Sequence, residues 1–547
     1  MESNFYFYRS LRESKEKWEE YSGSYIKGYA FNEGMLLKGT SLLDALVKSI
    51  KNDTLDSFLS LINGNYGAII LLPTKVILIS DKIRSYPLLY TVRDKVYCAD
   101  SGESAKKLFS DSKIAKDAER EFAALGYLSD GLTLVDNINY VNAGEYVTIS
   151  GDGKIKRTPY HSFSCEKKGL TKREVYKGSQ KALDSAFERT ITSIGEYSNI
   201  LIPLSGGYDS RLVACLCKKA GLNNVICYTY GKKDSFEVLT SKKVAETLGY
   251  RWEFVEYDKE VWDATLNSEI FHQYIDFSGC LTAAPHIQDF PALLSLKKRG
   301  IIDSDTVIVP GHSGDVLGGS KIPIEIIEDK RFDYNKKALI DLLYEHFFEL
   351  NKLKNNYEEQ EKNRIAKVLD IENQNKIEPD HFLDLYECEW FNKTRISNFI
   401  VNSMRAYEFI GVRWRLPLWD DEYAAYWYKL PWKKKYNSDL YNQFMSDVYF
   451  KPYGVDFKKE NITAKSFVKS CMKKILPMWL KKYYREAVAE HNSSVNKSHF
   501  NAFEHVNSFI EEKLDRKDFD YIKEYNHGNI NALTSLSYIN HVKRELI

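Results

Sequence analysis

The 547-residue chain has no excess of charge of either sign. It contains 77 Lys and Arg against 76 Asp and Glu, a formal net charge of +1. Domains that bind nucleic acid are normally basic, so this balance argues against wholesale nucleic-acid binding. Long hydrophobic runs are also missing. The most apolar stretch, residues 68–79, is interrupted by Pro73 and is too short to span a bilayer, and the N-terminus has no apolar signal core. We therefore expect a soluble protein without an integral membrane segment.

The cysteines lack the spacing of metal sites. None of the eight forms a Cys-x-x-Cys pair, and no Cys/His spacing suggests zinc. We expect reduced, mostly buried thiols in a cytoplasmic protein. The eight are Cys98, Cys165, Cys215, Cys217, Cys227, Cys280, Cys388 and Cys471.

Length and pattern predict two domains and an extension, because 547 residues exceed what one core usually organises. Residues 1–160 contain three hairpin patterns, around Pro73-Thr74, Arg93-Asp94 and Gly151-Asp152-Gly153. They predict an α+β domain with antiparallel sheets, followed by a polar linker. From 172 to 460, strands alternate with helices, which predicts an α/β domain with a parallel sheet. Residues 461–547 are predicted to form a packed helical extension, since Pro477 interrupts their basic, partly amphipathic pattern.

The stretch "LIPLSGGYDSRLVACLCKKAG", from Leu201, places a strand directly before Ser-Gly-Gly-x-Asp-Ser. Ligands of parallel sheets bind beyond the carboxyl ends of strands. Gly206 and Gly207 would let backbone N–H groups point at an anion, and Ser205 and Ser210 would add hydroxyl donors. An acid beside a phosphate needs a cation between them, so Asp209 predicts Mg²⁺. The plainer alternative is a glycine turn that caps a helix.

A second loop, "VIVPGHSGDVLGGS", again places glycines and an acid, Asp315, just after an apolar strand. If the two strands are neighbours, Asp209 and Asp315 would face one metal–phosphate cluster. Neither loop has the spacing of a Walker P-loop or of the dinucleotide-binding Gly-x-Gly-x-x-Gly.

With these loops, the chain resembles the ATP-pyrophosphatase (PP-loop) superfamily, specifically the glutamine-hydrolysing asparagine synthetase family. Residues 80–90 ("SDKIRSYPLLY") and 128–149 are similar to segments of that family's glutaminase domain, which has an Ntn-hydrolase-like fold. "YTYG…SFEVLTSKKVAETLGY" and residues 412–423 ("VRWRLPLWDDEY") resemble segments of the synthetase half. The four matches keep their order along most of the chain.

The resemblance implies an AMP-forming carbon–nitrogen ligase that uses ATP and Mg²⁺. A substrate carboxylate would attack the α-phosphorus of ATP, pyrophosphate would leave, and an amine or ammonia would convert the acyl-adenylate into an amide. By family analogy, backbone groups near Leu204, Tyr228 and Gly311 would line the adenosine pocket. Lys458 or Lys459 would lie over the phosphates. Glu237 is expected near the nucleotide, and His312 is either an acceptor contact or a structural loop histidine.

The chain also departs from the family pattern. Position 2 is Glu2 where the family has its nucleophilic cysteine, and the first cysteine is Cys98, inside a predicted strand. We therefore expect a degenerate glutaminase domain that does not release ammonia from glutamine. The second loop lacks both family glutamates, and Arg413 stands where the family usually has Glu. These changes leave the acceptor substrate open.

Several alternatives remain open on the sequence alone. The product could be asparagine from aspartate and free ammonia, an amide of a sugar acid or other non-standard carboxylate, or an intramolecular amide as in β-lactam synthetases and lasso-peptide cyclases. Other PP-loop enzymes modify nucleic acid, but that chemistry needs catalytic cysteines or a basic domain. A non-catalytic regulator is disfavoured by the presence of Asp209 and Asp315.

Overall fold

A computed structural model describes most of the chain. The described ranges are 7–11, 16–108, 112–164, 169–195, 198–312, 314–328, 331–371, 376–457 and 502–546. Glu2, Lys458 and Lys459 therefore lie outside the described residues. Within those ranges, no helix is long and apolar enough to cross a membrane.

The N-terminal region contains two stacked sheets. A seven-stranded antiparallel sheet has the order Ile155–Pro159, Glu145–Ser150, Lys75–Ser80, Asn63–Leu72, Ser24–Asn32 and Glu19–Tyr21, with Met35–Lys38 also paired to Ser24–Asn32. A four-stranded sheet has the order Phe7–Ser10, Val96–Ala99, Leu89–Val92 and Asn139–Tyr140. All three predicted hairpins are present. The first strand pairs in parallel with Val96–Ala99, so the smaller sheet is mixed.

Burial explains the layers of this region. Ile69, Leu78 and Tyr90 belong to one core cluster, which holds the two sheets face to face. On the outer face of the larger sheet, Leu42 and Leu46 belong to another core cluster, because the helices there are apolar on that side. The helices of the region are Thr40–Lys51, Leu55–Leu61, Gly102–Ala105, the 3₁₀ turn Lys106–Leu108, and Lys116–Leu125.

The second half contains the predicted parallel sheet. Its order is Arg251–Glu256, Val225–Gly231, Asn199–Pro203, Thr306–Ile308 and Arg413–Trp414, and every pairing is parallel. The long helix before it begins with a capping box, in which Thr171 and Glu174 satisfy each other's backbone N–H groups. These sheets and the alternation of strands and helices confirm the predicted fold class, an α+β region followed by an α/β region.

Helices surround the parallel sheet and continue to the C-terminus. Those around the sheet are Lys172–Ile194, Tyr208–Lys219, Phe236–Leu248, Lys259–Leu266, Glu269–Ser278, Phe290–Lys298, Gly314–Leu317 and Ile324–Glu328. Those that follow are Lys336–Phe347, Asn355–Val368, Pro379–Leu383, Arg405–Phe409, Asp421–Tyr428, Trp432–Lys435, Asp439–Met445, Glu504–Glu511 and Ile530–Glu545. Asp384–Ile400 and Ser446–Phe450 are π-helical, and Val401–Met404, Pro417–Trp419, Tyr436–Ser438 and Arg516–Phe519 are 3₁₀ turns.

One feature of the C-terminal part is not helical. Ile522–Glu524 pairs antiparallel with Lys352–Leu353. The predicted extension, 461–547, is therefore helical with an added strand where it is described. The boundaries at 160, 172, 460 and 461 remain predictions.

Candidate functional site

The two glycine loops meet at one edge of the parallel sheet. Asn199–Pro203 and Thr306–Ile308 are neighbouring parallel strands, with Leu201 opposite Ile308, so both loops leave at the carboxyl edge. A Cβ on Gly311 would collide with the Asp209 carbonyl carbon and the Ser210 nitrogen. Because the two backbones touch there, the second loop can carry only glycine at that position.

Hydrogen bonds inside the first loop fix its shape. The Gly207 N–H donates to the Ser205 hydroxyl at 3.1 Å, and the Ser205 N–H donates to the Ser210 hydroxyl at 3.1 Å. The two hydroxyl oxygens are also 3.1 Å apart. The helix begins at Tyr208, so Asp209 lies in its first turn.

Asp209 is the acidic residue between the two loops. Its Oδ2 accepts the Asp315 N–H at 3.1 Å, whereas its buried Oδ1 has no hydrogen-bond partner among the described residues. Burial, and secondarily the neighbouring Asp315 carboxylate, raises the pKa of Asp209 to about 7. Gly314 leaves room beside Oδ1, because a Cβ there would lie 2.8 Å from this oxygen. An orphaned carboxylate oxygen facing a second acid fits a divalent cation with oxygen ligands.

Hydrogen bonds to the main chain of Asp315 hold the second loop in place. The Asp315 carbonyl oxygen accepts the Ser438 hydroxyl at 3.0 Å and the Ser320 N–H at 3.2 Å. The Asp315 side chain is half-buried. The loop therefore keeps its backbone fixed while the Asp315 side chain stays partly exposed.

The other predicted nucleotide contacts lie around the same edge. The Leu204 N–H donates to the Tyr228 carbonyl at 2.8 Å, which extends the pairing of the two strands by one residue, and the Tyr228 side chain is wholly buried. Glu237 lies beside the first loop, since its Cα is 3.2 Å from where a Cβ on Gly206 would stand.

His312 and Arg413, whose roles the sequence left open, both make structural contacts. His312 Nε2 lies 3.3 Å from the Ser403 hydroxyl, and burial lowers the pKa of His312 to about 4. These contacts favour the interpretation of His312 as a loop histidine. Arg413 donates to the Ser198 hydroxyl at 3.0 Å and to the Ile194 carbonyl at 3.4 Å. It therefore binds the end of the long helix Lys172–Ile194.

A buried polar cluster near the second loop was not predicted from the sequence. Asp289 accepts hydrogen bonds from Tyr230 and, at 3.0 Å, from Tyr407, and His286 Nε2 lies 3.5 Å from it. Burial opposes ionisation, but the hydrogen bond and charge of His286, the hydrogen bond from Tyr230 and the charge of His312 together outweigh it and lower the pKa of Asp289 to about 2. No local motif marks this cluster, because its members come from a strand, a helix start and a distant helix.

Cys98 has none of the properties of a nucleophile. It is fully buried in the strand Val96–Ala99, and burial raises its pKa well above the ordinary value. The other described cysteines, from Cys215 to Cys388, are also free and buried.

Comparisons with known proteins give one family and several distant folds. The asparagine synthase family model matches residues 183–517, more than half of the chain. No curated protein matches the chain in sequence.

Three solved structures illustrate the distant similarities. An NH3-dependent NAD synthetase from Campylobacter jejuni is 16% identical, with 37% of this chain and 84% of that chain covered and a TM-score of 0.19. A U34-tRNA thiolase from Methanococcus maripaludis is 16% identical, with 44% and 78% covered and a TM-score of 0.18. A glutamine-dependent NAD+ synthetase from Acinetobacter baumannii is 12% identical, with 62% and 86% covered and a TM-score of 0.18. Similarities this low carry no argument about function.

Proposed function

Because the chain belongs to the asparagine synthase family, whose match supports an ATP-dependent ligase, we propose that it activates a small-molecule carboxylate as an acyl-adenylate. Pyrophosphate would leave first. An amine or ammonia would then form an amide and release AMP, so the enzyme would be an AMP-forming carbon–nitrogen ligase. Its partners would be ATP, the carboxylate and the amine, not nucleic acid.

The observation that carries this proposal is the pairing of Asp209 with Asp315. Two adjacent parallel strands bring the two acids to the crevice where such sheets bind ligands. A buried acid with one unpartnered oxygen is costly to keep unless a cation binds there. A purely structural helix cap would not need a second acid beside it.

In this proposal Asp209 and Asp315 hold Mg²⁺, which when bound would offset the negative charge of the triphosphate and of the leaving pyrophosphate. Gly206 and Gly207 let the backbone approach the pyrophosphate, and the helix start adds partial positive charge. Ser205 and Ser210, preorganised by their mutual hydrogen bond, would turn their hydroxyl groups toward phosphate oxygens. Main-chain groups of Leu204, Tyr228 and Gly311 would contact the adenosine, and Lys458 or Lys459 the phosphates.

We also propose that the chain does not hydrolyse glutamine. Cys98 is buried with a raised pKa, and in the described part of residues 7–164 it is the one cysteine. A nucleophilic thiol needs exposure and a lowered pKa. The described cysteines are all reduced, which supports a cytoplasmic protein. The division into domains 1–160 and 172–460 and an extension 461–547 is part of the same proposal.

ATP–pyrophosphate exchange tests the first step alone, because it needs the acyl-adenylate but no amine. We expect exchange with at least one member of a carboxylate panel that includes aspartate, sugar acids and amino-bearing carboxylates. The Asp209→Asn variant should lose a factor of at least about 100 in exchange rate, since it removes charge stabilisation at the leaving group.

A matched control is Asp184→Asn. Asp184 lies on the long helix Lys172–Ile194, outside the two loops. Its half-exposed carboxylate pairs with Lys219. This variant should exchange at the wild-type rate. Absence of both exchange and ATP binding in the wild-type protein would overturn the ligase proposal. Ammonia release from glutamine would overturn the proposal on the N-terminal region.

A further inference from the structure

A cavity of about 180 Å³ is lined by residues from 266–287 and 509–544, none of which belongs to the two glycine loops. Its walls come from the helices Lys259–Leu266 and Glu269–Ser278 on one side and Glu504–Glu511 and Ile530–Glu545 on the other. Most of its surface is apolar. The apolar wall includes Leu266, Phe271, Ile275, Ile287, Phe509 and Ile510.

Four side chains that line this cavity can carry positive charge, and no Asp or Glu lines it. They are His272, Lys513, His541 and Arg544. His541 is paired with Asp276. The Lys513 ammonium lies 3.7 Å from the centroid of the Phe509 ring, and within the described residues neither Lys513 nor Arg544 forms an ion pair. Two exposed cations without carboxylate partners therefore line a mostly apolar cavity.

We propose that this cavity binds a small amphipathic anion, an organic carboxylate whose apolar part is about the size of one aromatic ring. The volume sets the size, because a dry apolar cavity of about 150 Å³ accommodates one benzene. The sign of the ligand's charge follows from Lys513 and Arg544, and a guanidinium binds a carboxylate with two parallel hydrogen bonds. An apolar body with a charged end would satisfy both parts of the cavity.

This site is separate from the proposed ATP site. No residue that lines the cavity is among those assigned to ATP or to the metal. Six of them lie beyond residue 517, where the asparagine synthase family match ends: Thr534, Ser537, Tyr538, Asn540, His541 and Arg544. Binding of an anion in this cavity therefore does not depend on the proposed ligase activity.

The helix Ile530–Glu545, which lines the cavity, also contacts the N-terminal region. Tyr538, which lines the cavity, stacks on Phe122 with ring centroids 5.9 Å apart. Lys543 on the same helix pairs with Glu119 at 2.7 Å. A ligand that fixes this helix should therefore raise the thermal unfolding temperature of the whole protein.

Isothermal titration calorimetry on the full chain tests the proposal. The probes are phenylacetate, 3-phenylpropionate and hexanoate, with 2-phenylethylamine and 2-phenylethanol as cationic and neutral counterparts. We expect saturable binding of at least one carboxylate, at least about tenfold tighter than either counterpart, with a matching rise in unfolding temperature. Arg544→Gln and Lys513→Gln should each weaken binding about tenfold.

Two further variants complete the test. Lys517→Gln removes an exposed cation that does not line the cavity and should leave the affinity unchanged. Ser537→Phe fills the cavity and should abolish binding, with thermal unfolding showing that the variant is folded. Absence of saturable binding by all three carboxylates would overturn the proposal. So would equal affinity for the amine, or equal weakening by Lys517→Gln and Arg544→Gln.

Discussion

Gly314 shows how closely side chains pack at the predicted metal site. A Cβ at this position would collide with the Tyr441 hydroxyl and would lie 2.8 Å from both Asp209 Oδ1 and Leu418 Cδ1. Overpacking of this kind usually costs about 1–3 kcal/mol of stability. We therefore expect Gly314→Ala to lower the free energy of unfolding by that amount and to reduce ATP–pyrophosphate exchange at least tenfold.

A second substitution relieves one of the three collisions of Gly314→Ala. Tyr441→Phe removes the hydroxyl, which has no hydrogen-bond partner among the described residues. The double variant should regain part of the stability, measured by urea unfolding, but not the exchange activity, because the contacts with Leu418 and Asp209 remain. Gly528→Ala is the control, since a Cβ there meets nothing within 4 Å. Full recovery of exchange in the double variant would contradict a role for the space around Asp209.

At the scale of elements, the helices Lys116–Leu125 and Asn355–Val368 bring two carboxyl groups together. Glu121 and Glu361 are both buried, with Arg364 3.0 Å from Glu121 and with Arg120 and Asp117 close by. Burial, and then the charge of Glu121, raises the pKa of Glu361 to about 8 from an ordinary value of 4.5. Burial also raises the pKa of Glu121, against the opposing effect of Arg364.

This shift predicts a pH dependence of stability. Between about pH 4.5 and pH 8 the folded chain keeps a proton on Glu361 that the unfolded chain has lost. The free energy of unfolding from this group is therefore greatest at low pH and falls as the pH rises through that window. Glu361→Gln removes this pH-dependent loss, so the stability of the variant relative to wild type should increase from pH 5 to pH 8.5, by at most about 4 kcal/mol. Glu359→Gln, an exposed neighbour, should show a flat difference, and a flat difference for Glu361→Gln would refute the assignment.

The same scale shows what the sequence can and cannot predict. Hairpins such as 63–80 were predictable, because a turn signal and strand alternation are local. The grouping of hairpins into sheets was not predictable. The hairpins 63–80 and 145–159 share one sheet, while the hairpin 89–99 lies in another. The loops with Asp209 and Asp315 were predictable because both follow apolar strands. Asp289 was not, since its partners Tyr230 and Tyr407 are 59 and 118 residues away.

At the scale of the whole molecule, buried ion pairs join the N-terminal region to the second half. Glu16 lies 3.3 Å from Arg415, and Lys27 lies 3.5 Å from Glu408. Arg415 also donates to the Ser193 hydroxyl at 2.7 Å and is 1% exposed. Burial alone would raise the pKa of Glu16, but the charges of Arg415 and Lys27 and the hydrogen bonds from Tyr86 and Arg415 together outweigh it and lower that pKa. Charges buried in this way tie the stability of each half to the other.

Substitutions at this contact test the coupling between the two halves. Arg415→Met removes the buried cation 3.3 Å from the Glu16 carboxylate, which should cost about 3–5 kcal/mol of unfolding free energy. Replacing both residues, as Glu16→Met with Arg415→Met, removes both charges and should recover most of that loss. The exposed pair Arg9 and Glu20 is the control, and breaking it with Arg9→Met should cost less than about 1 kcal/mol. Urea unfolding of the four proteins of the cycle gives the coupling energy. Strictly additive losses would show that the two charges do not stabilise each other, and that the halves are held together by apolar contacts such as the packing of Tyr86 against Trp414.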